Sequence, residues 1–276
     1  MIYRYRDQAA LDASLNARAT VPDVAPFITA YAEASAKARA TLECRANVAY
    51  GPTPAERVDI FPARMPASPV YVFIHGGYWR ALDAGDSSFM APMFVAAGAA
   101  VVAVNYELAP AASIDEIVRQ CRAAMNYVFE NAAAFNGDPA RVHVSGSSAG
   151  GHLAAMALGG DARVRSGSTL SGLFDLEPVR LSNCNEWAKL DAASAARNSP
   201  LRHLPKRPVP LVVSYAPNEA AEFAVQSEAY LAASVAVGCH ARFVAEPGTN
   251  HFDLPMRFMD RDSALSRAVL ETMGLG

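Results

Sequence analysis

The chain has little of what would place it at once in a specialised class. Only four cysteines occur in 276 residues, Cys44, Cys121, Cys184 and Cys239, far apart and with no C-x-x-C pair. That spacing argues against a disulfide framework and fits the reduced thiols of a cytoplasmic protein. The opening residues, Met1-Ile2-Tyr3-Arg4-Tyr5-Arg6-Asp7, lack the apolar stretch of a secretory signal. The longest apolar run, Ala91 to Val104, is too short to span a bilayer and is split by Gly98. Charge is nearly balanced at −3, with basic residues scattered, so there is no nucleic-acid footprint. The densest basic cluster, Arg202 to Pro208, is broken by proline and reads as a solvated loop. No H-E-x-x-H or comparable ligand spacing appears, and no G-x-G-x-x-G or phosphate loop follows a strand. Neither a metal nor a cofactor is therefore expected. The chain also lacks internal repeats and low-complexity segments.

What is present is a core-building composition, 52% hydrophobic, arranged as strands alternating with helices. Strand patterns fall at 58–61, 70–74, 100–105, 141–144, around 169–172, at 209–215 and at 241–245. Val70-Tyr71-Val72-Phe73-Ile74 is continuously apolar and largely β-branched or aromatic, as expected of a strand covered on both faces. Helical periodicity lies between the strands, and Asn136-Gly137-Asp138-Pro139 is a strong turn signal. This alternation predicts a mostly parallel sheet flanked by helices. Residues 1–46 read as an alanine-rich helical lead-in. Between Phe174 and Pro208 the alternation lapses into short helical pieces and prolines, which predicts a small cap-like insertion within one domain, 1–276.

Two glycine motifs sit at strand ends. Gly146-Ser147-Ser148-Ala149-Gly150 follows a strand and opens a helix, the context in which G-x-S-x-G exposes a nucleophilic serine at a sharp turn. Ser148 is the serine between the two required glycines. His75-Gly76-Gly77, directly after the 70–74 strand, is the H-G-G loop of lipases and esterases. There Gly76 and Gly77, with the amide of Ala149, would donate to an oxyanion. The bland alternatives are a glycine-rich turn with an incidental serine and a β-turn that only links strand to helix.

A serine nucleophile needs a base and an orienting acid, in the chain order Ser, Asp/Glu, His. Of six histidines, His143 and His240 lie in strands, His152 sits a turn past the serine, and His203 precedes any plausible acid. His75 is too early in the chain. His251, on the loop after the last predicted strand, is the best general base. The acid should follow the strand ending at Tyr215. Glu219 lies on that loop, whereas Glu222 occupies the first turn of the next helix, where a carboxylate is favourable for dipole reasons alone. Glu219 is the better placed and Glu222 the alternative.

These residues resemble the kynurenine formamidase (arylformamidase) branch of the α/β-hydrolase superfamily, beside the hormone-sensitive-lipase-like esterases. The matching pieces are His75-Gly76-Gly77-Tyr78-Trp79, Asn105 to Pro110, Gly146 to His152, Ser171-Gly172-Leu173-Phe174-Asp175-Leu176-Glu177-Pro178 and Asn250-His251-Phe252. The resemblance implies an α/β-hydrolase fold with Ser148 as nucleophile, His251 as base and Glu219 as acid, where aspartate is commoner in the branch. It also implies Gly76, Gly77 and Ala149 as oxyanion donors. The expected activity is cleavage of a small aryl formamide, or a related amide or ester, through an acyl-enzyme. Tyr78, Trp79, Phe174, Trp187 and Phe252 are candidates for an aromatic wall around the leaving group. The rivals are a general short-chain carboxylesterase and a non-catalytic scaffold of the same fold. The expected partner is a small ester or amide, with no nucleic acid and no membrane; a homodimer is one option the sequence leaves open. No charged pair in the sequence identifies itself as the receiver of an amino-acid zwitterion.

Overall fold

A computed structural model describes residues 1–276. Eight strands form one sheet: β1 (Arg45–Ala49), β2 (Arg57–Phe61), β3 (Ser68–Ile74), β4 (Ala100–Val104), β5 (Gly137–Ser147), β6 (Ser166–Leu170), β7 (Pro210–Ser214) and β8 (His240–Phe243). Their order is β1-β2-β4-β3-β5-β6-β7-β8. From β4 to β8 all neighbours are parallel, while β1 and β2 pair antiparallel at one edge.

The helices are α1 (Gln8–Ser14), α2 (Ala25–Thr41), α3 (Ala91–Ala96), α4 (Ile114–Asn131), α5 (Ala149–Gly160), α6 (Glu177–Leu181), α7 (Asn185–Ala188), α8 (Ala192–Arg197), α9 (Ala221–Ala236) and α10 (Ala264–Met273). None is long and apolar enough to cross a membrane. Every residue of β3 is buried, and its alternation divides the interior. Val70, Val72 and Ile74 face one core, built largely from α4, α5 and α9, and Tyr71 and Phe73 face a second, under α3 and α10.

The chain leaves β3 toward one side, through α3 to β4. It leaves β5 toward the other, through α5 to β6. The crevice at the carboxyl ends of β3 and β5 is therefore the switch point of the sheet, where ligands bind in open α/β folds. Ile74 and Gly146 are register partners, which sets the loop beginning at His75 beside the turn at Ser148. The 174–208 stretch folds as α6, α7, α8 and a short 3-10 turn.

Two features depart from the sequence reading. Strand β1 lies at the end of the lead-in, where only helix was expected; four of its five residues are exposed, so it carries no burial pattern. The lead-in also does more than precede the domain, because it walls the central cavity.

Candidate active site

The turn at Ser148 is built by close backbone contact. Ser148 has φ 58° and ψ −121°, a conformation L-residues rarely adopt, between the end of β5 and the first residue of α5. Such a residue costs on the order of 1–3 kcal/mol and persists only where its surroundings hold it. Here the Ser148 amide donates to the Leu170 carbonyl at 2.8 Å, tying the turn to β6. A Cβ on Gly150 would lie 2.0 Å from the carbonyl oxygen of Ile74, so the chain can turn this tightly only with glycine there. The amide of Ala149 opens α5 and has no acceptor in the protein, as the first turn of a helix requires.

Facing it, the His75–Gly77 loop is held from behind. Tyr106 stacks on the His75 ring at 4.1 Å between centroids, and its hydroxyl donates to the carbonyl oxygens of His75 at 2.9 Å and Gly76 at 3.1 Å. In a trans peptide C=O and N–H point opposite ways. Holding those two carbonyls back thus turns the amides of Gly76 and Gly77 to the other side, where both residues line the cavity and neither amide has a protein acceptor. A Cβ on Gly76 would stand 2.8 Å from the Ser147 carbonyl oxygen and 3.2 Å from the Ser148 Cβ. The two glycine motifs are in contact.

The base and acid arrive on neighbouring strands. Parallel pairing of β7 with β8 continues beyond both as a single bridge, Asn218 with Asn250, and so brings the next residues together. His251 Nδ1 and Glu219 Oε2 are 2.7 Å apart, with the side chains 5% and 1% exposed. The second Glu219 oxygen accepts from the Ala216 amide at 3.1 Å. Glu222 is engaged elsewhere: it pairs with Arg4 at 3.0 Å and accepts from Tyr5 and Gln226. Of the two glutamates, the structure brings only Glu219 to His251.

Ser148, His251, Gly76 and Gly77 all line one cavity of about 630 Å³. Around it stand the strained turn at Ser148, a buried imidazole–carboxylate pair and unpaired amides, an arrangement suited to attack on a carbonyl carbon.

Comparisons with known proteins show the family. The BD-FAE family model matches residues 58–168. Kynurenine formamidase of Danio rerio is 31% identical over 261 residues, covering 90% of this chain and 88% of that protein. The chain belongs to the kynurenine formamidase family. The Salmo salar kynurenine formamidase is 32% identical over 262 residues, again covering 90% and 88% of the two chains. A candidate thioesterase of Silicibacter sp. tm1040, of known structure, superposes with a TM-score of 0.83 at 28% identity, covering 94% of this chain and 98% of that one. This family member is a hydrolase with the α/β-hydrolase fold.

Of the five aromatics expected to wall the cavity, three lie on it. Tyr78, Trp187 and Phe252 line the cavity. Trp79 and Phe174 do not: both are fully buried. Trp79 donates from Nε1 to His152 Nδ1 at 3.2 Å, and His152 Nε2 reaches the Asn198 carbonyl at 2.7 Å. His152 is thus the neutral Nε2–H tautomer, a strut between the H-G-G loop and the insertion, and burial pushes its pKa down to about 4. Phe174 stacks flat on Tyr230 of α9 at 4.2 Å. Sequence reasoning missed the residues from the lead-in. Leu15, Asn16, Ala17, Arg18, Val24, Ile28 and Tyr31 form one wall of the cavity. Tyr31 donates to the Phe252 carbonyl and Phe27 stacks on the Phe252 ring. The spaced anchors Phe27 and Tyr31 were the only sign of this.

Proposed function

We propose that the protein is a serine hydrolase that cleaves small aryl formamides, as the kynurenine formamidases among its relatives are named for doing, by way of a formyl-enzyme. The reading rests chiefly on the 2.7 Å contact of His251 Nδ1 with Glu219 on the cavity that Ser148 lines. Glu219 fixes the tautomer that leaves Nε2 free as a base and stabilises the imidazolium formed later. The Ser148 hydroxyl attacks the formyl carbon and its proton passes to His251. The oxyanion is received by the amides of Gly76, Gly77 and Ala149, each such donor contributing roughly 10²–10³ in rate. Collapse breaks the C–N bond, and His251 returns the proton to the departing amine. Water, deprotonated by His251, then attacks the ester, releasing formate and restoring Ser148.

A cavity of about 630 Å³, lined mostly by apolar side chains, is ample for an aryl leaving group. That lining also suits short-chain esters, the second reading. A cytoplasmic setting belongs to the same proposal, in keeping with four unpaired cysteines.

The test is turnover of N-formylkynurenine beside p-nitrophenyl acetate and butyrate, with wild type and Ser148→Ala together, and labelling by a fluorophosphonate. Efficient formamide cleavage, lost with the label in the mutant, is the expected result. Ester cleavage with negligible formamide cleavage would select the esterase, and an active Ser148→Ala would refute the nucleophile.

A further inference from the structure

The cavity is apolar apart from a few groups, and its permanent charges are two arginines and one aspartate: Arg18, Arg80 and Asp86. None has an oppositely charged partner within 4 Å. Arg80 is the best held of the three. Its amide closes a turn onto the Gly77 carbonyl at 3.0 Å, so it follows directly on the oxyanion loop. Its guanidinium lies 3.6 Å over the ring of Trp187, and the indole Nε1 donates to the Tyr78 carbonyl at 3.0 Å. One tryptophan from the insertion thus clamps both the loop backbone and the arginine head. A planar guanidinium stacked on an aromatic face keeps its N–H edge free for a carboxylate. Asp86 reaches the cavity from the 3-10 turn that follows the same loop. Burial, and then the neighbouring Asp83, raise its carboxyl pKa, as expected of a carboxylate short of a cation.

From this arrangement we propose that Arg80 and Asp86 form a receiving pair for a zwitterion on the leaving group, Arg80 taking a carboxylate and Asp86 an ammonium. Resting on the formamidase reading, this makes the preferred substrates aryl formamides that bear a free α-amino-acid tail. Both ends of such a tail lie several bonds from the formyl carbon, and both charged residues lie along the loop that leads away from the oxyanion donors. An apolar cavity alone would bind the aryl ring but pay to desolvate the tail; paired charges offset that cost and set the tail's direction.

The experiment compares kcat/KM for N-formylkynurenine with that for 2-formamidoacetophenone, which has the same formamide and ring ketone but no amino-acid tail. Wild type is expected to favour the tailed substrate. Arg80→Gln should reduce that preference about ten- to a hundredfold, mostly through KM, with Arg80→Lys recovering part of it. Asp86→Asn should reduce it less, because Asp86 has no clamp comparable to the Trp187 ring over Arg80, and Arg18→Gln least. An unchanged preference in Arg80→Gln would overturn the proposal. So would equal losses on both substrates, which is what a purely structural role for the loop predicts, or a larger effect at Arg18 than at Arg80. Should wild type cleave phenyl acetate but neither formamide, the formamidase reading alone fails. The preference for 3-acetoxybenzoate over phenyl acetate then reads Arg80 in the same way, and must fall in Arg80→Gln if Arg80 receives carboxylates.

Discussion

At the scale of single residues, Glu219 and Glu222 are three positions apart and yet in different environments. Glu219 meets His251 alone, with one backbone amide on its other oxygen. Glu222 is fully buried under Arg4, Tyr5 and Gln226. Replacing Glu219 by Gln is expected to lower kcat by about 10²–10⁴, as loss of the orienting carboxylate does elsewhere, with little effect on the unfolding midpoint. Glu222→Gln should do the reverse, costing about 1–3 kcal/mol of stability while kcat changes about threefold or less. Steady-state kinetics and urea unfolding on the two variants give both numbers, and a crossed pattern would reassign the acid. Gly76→Ala drives a methyl into the Ser147 carbonyl and the Ser148 Cβ, so kcat should fall about tenfold or more with KM largely kept. The turn at Ser148, the His75–Gly77 loop and the meeting of Glu219 with His251 were readable from sequence because each needs a particular residue type at a particular strand end. The fates of Trp79 and Phe174 were not. An aromatic beside a catalytic motif carries no mark of which way it points, and here His152 and Tyr230 turn the two inward.

At the scale of elements, one side chain of the sheet domain secures the backbone at the start of the insertion. Gln226, on α9, accepts from the amides of Phe174 and Asp175 at 2.6 and 2.8 Å and donates to Glu222 at 2.9 Å. Gln226→Leu leaves two amides without an acceptor and leaves Glu222 Oε1 with Arg4 as its one donor, so it should cost about 2–4 kcal/mol. Chemical denaturation would show it as a lower midpoint at unchanged m; a shift below about 0.5 kcal/mol would mean that the loop finds other acceptors. Of the seven strands read from sequence, β2, β3, β4, β5 and β7 each hold a buried, largely apolar run, whereas β6 is buried but polar and β8 is mostly exposed, so these two were marked by their place in the strand–helix alternation. β1 escaped because an exposed edge strand has no such pattern, and it is held to β2 by the backbone ladder and by the Asp59 carboxylate on the Asn47 amide. The cavity wall from the lead-in escaped for a related reason. Its contacts, Tyr31 with the Phe252 carbonyl and the Leu15 carbonyl with the Tyr78 hydroxyl, are made across more than sixty intervening positions, through carbonyl oxygens that every residue has.

At the scale of the molecule, three histidines are buried neutral. Burial pushes His75 and His152 down to about 4 and His143 to about 3, from an ordinary value of 6.5. Below pH 6.5 the unfolded chain takes up protons at these positions and the folded one does not, so unfolding is favoured as the pH falls. Their stabilisation is full above 6.5 and is lost progressively toward 4 and 3, by up to about 1.4 kcal/mol per pH unit for each. Urea midpoints measured from pH 7 to pH 4.5 should fall, and His143→Gln, which keeps polar atoms near Ser166 and Ser168, should flatten the slope. A slope identical to wild type would show that His143 binds protons equally in the folded and unfolded states. The wall that α1 and α2 lend to the cavity has a consequence during synthesis. A nascent chain can tie the Ser148 turn once the Leu170 carbonyl has been made, but the floor at Phe252 and the roof at Tyr31 meet only about eighty residues later. Until then the serine sits in an open trough, and any inhibitor that needs an enclosed chamber should ignore ribosome-bound intermediates and capture only finished molecules.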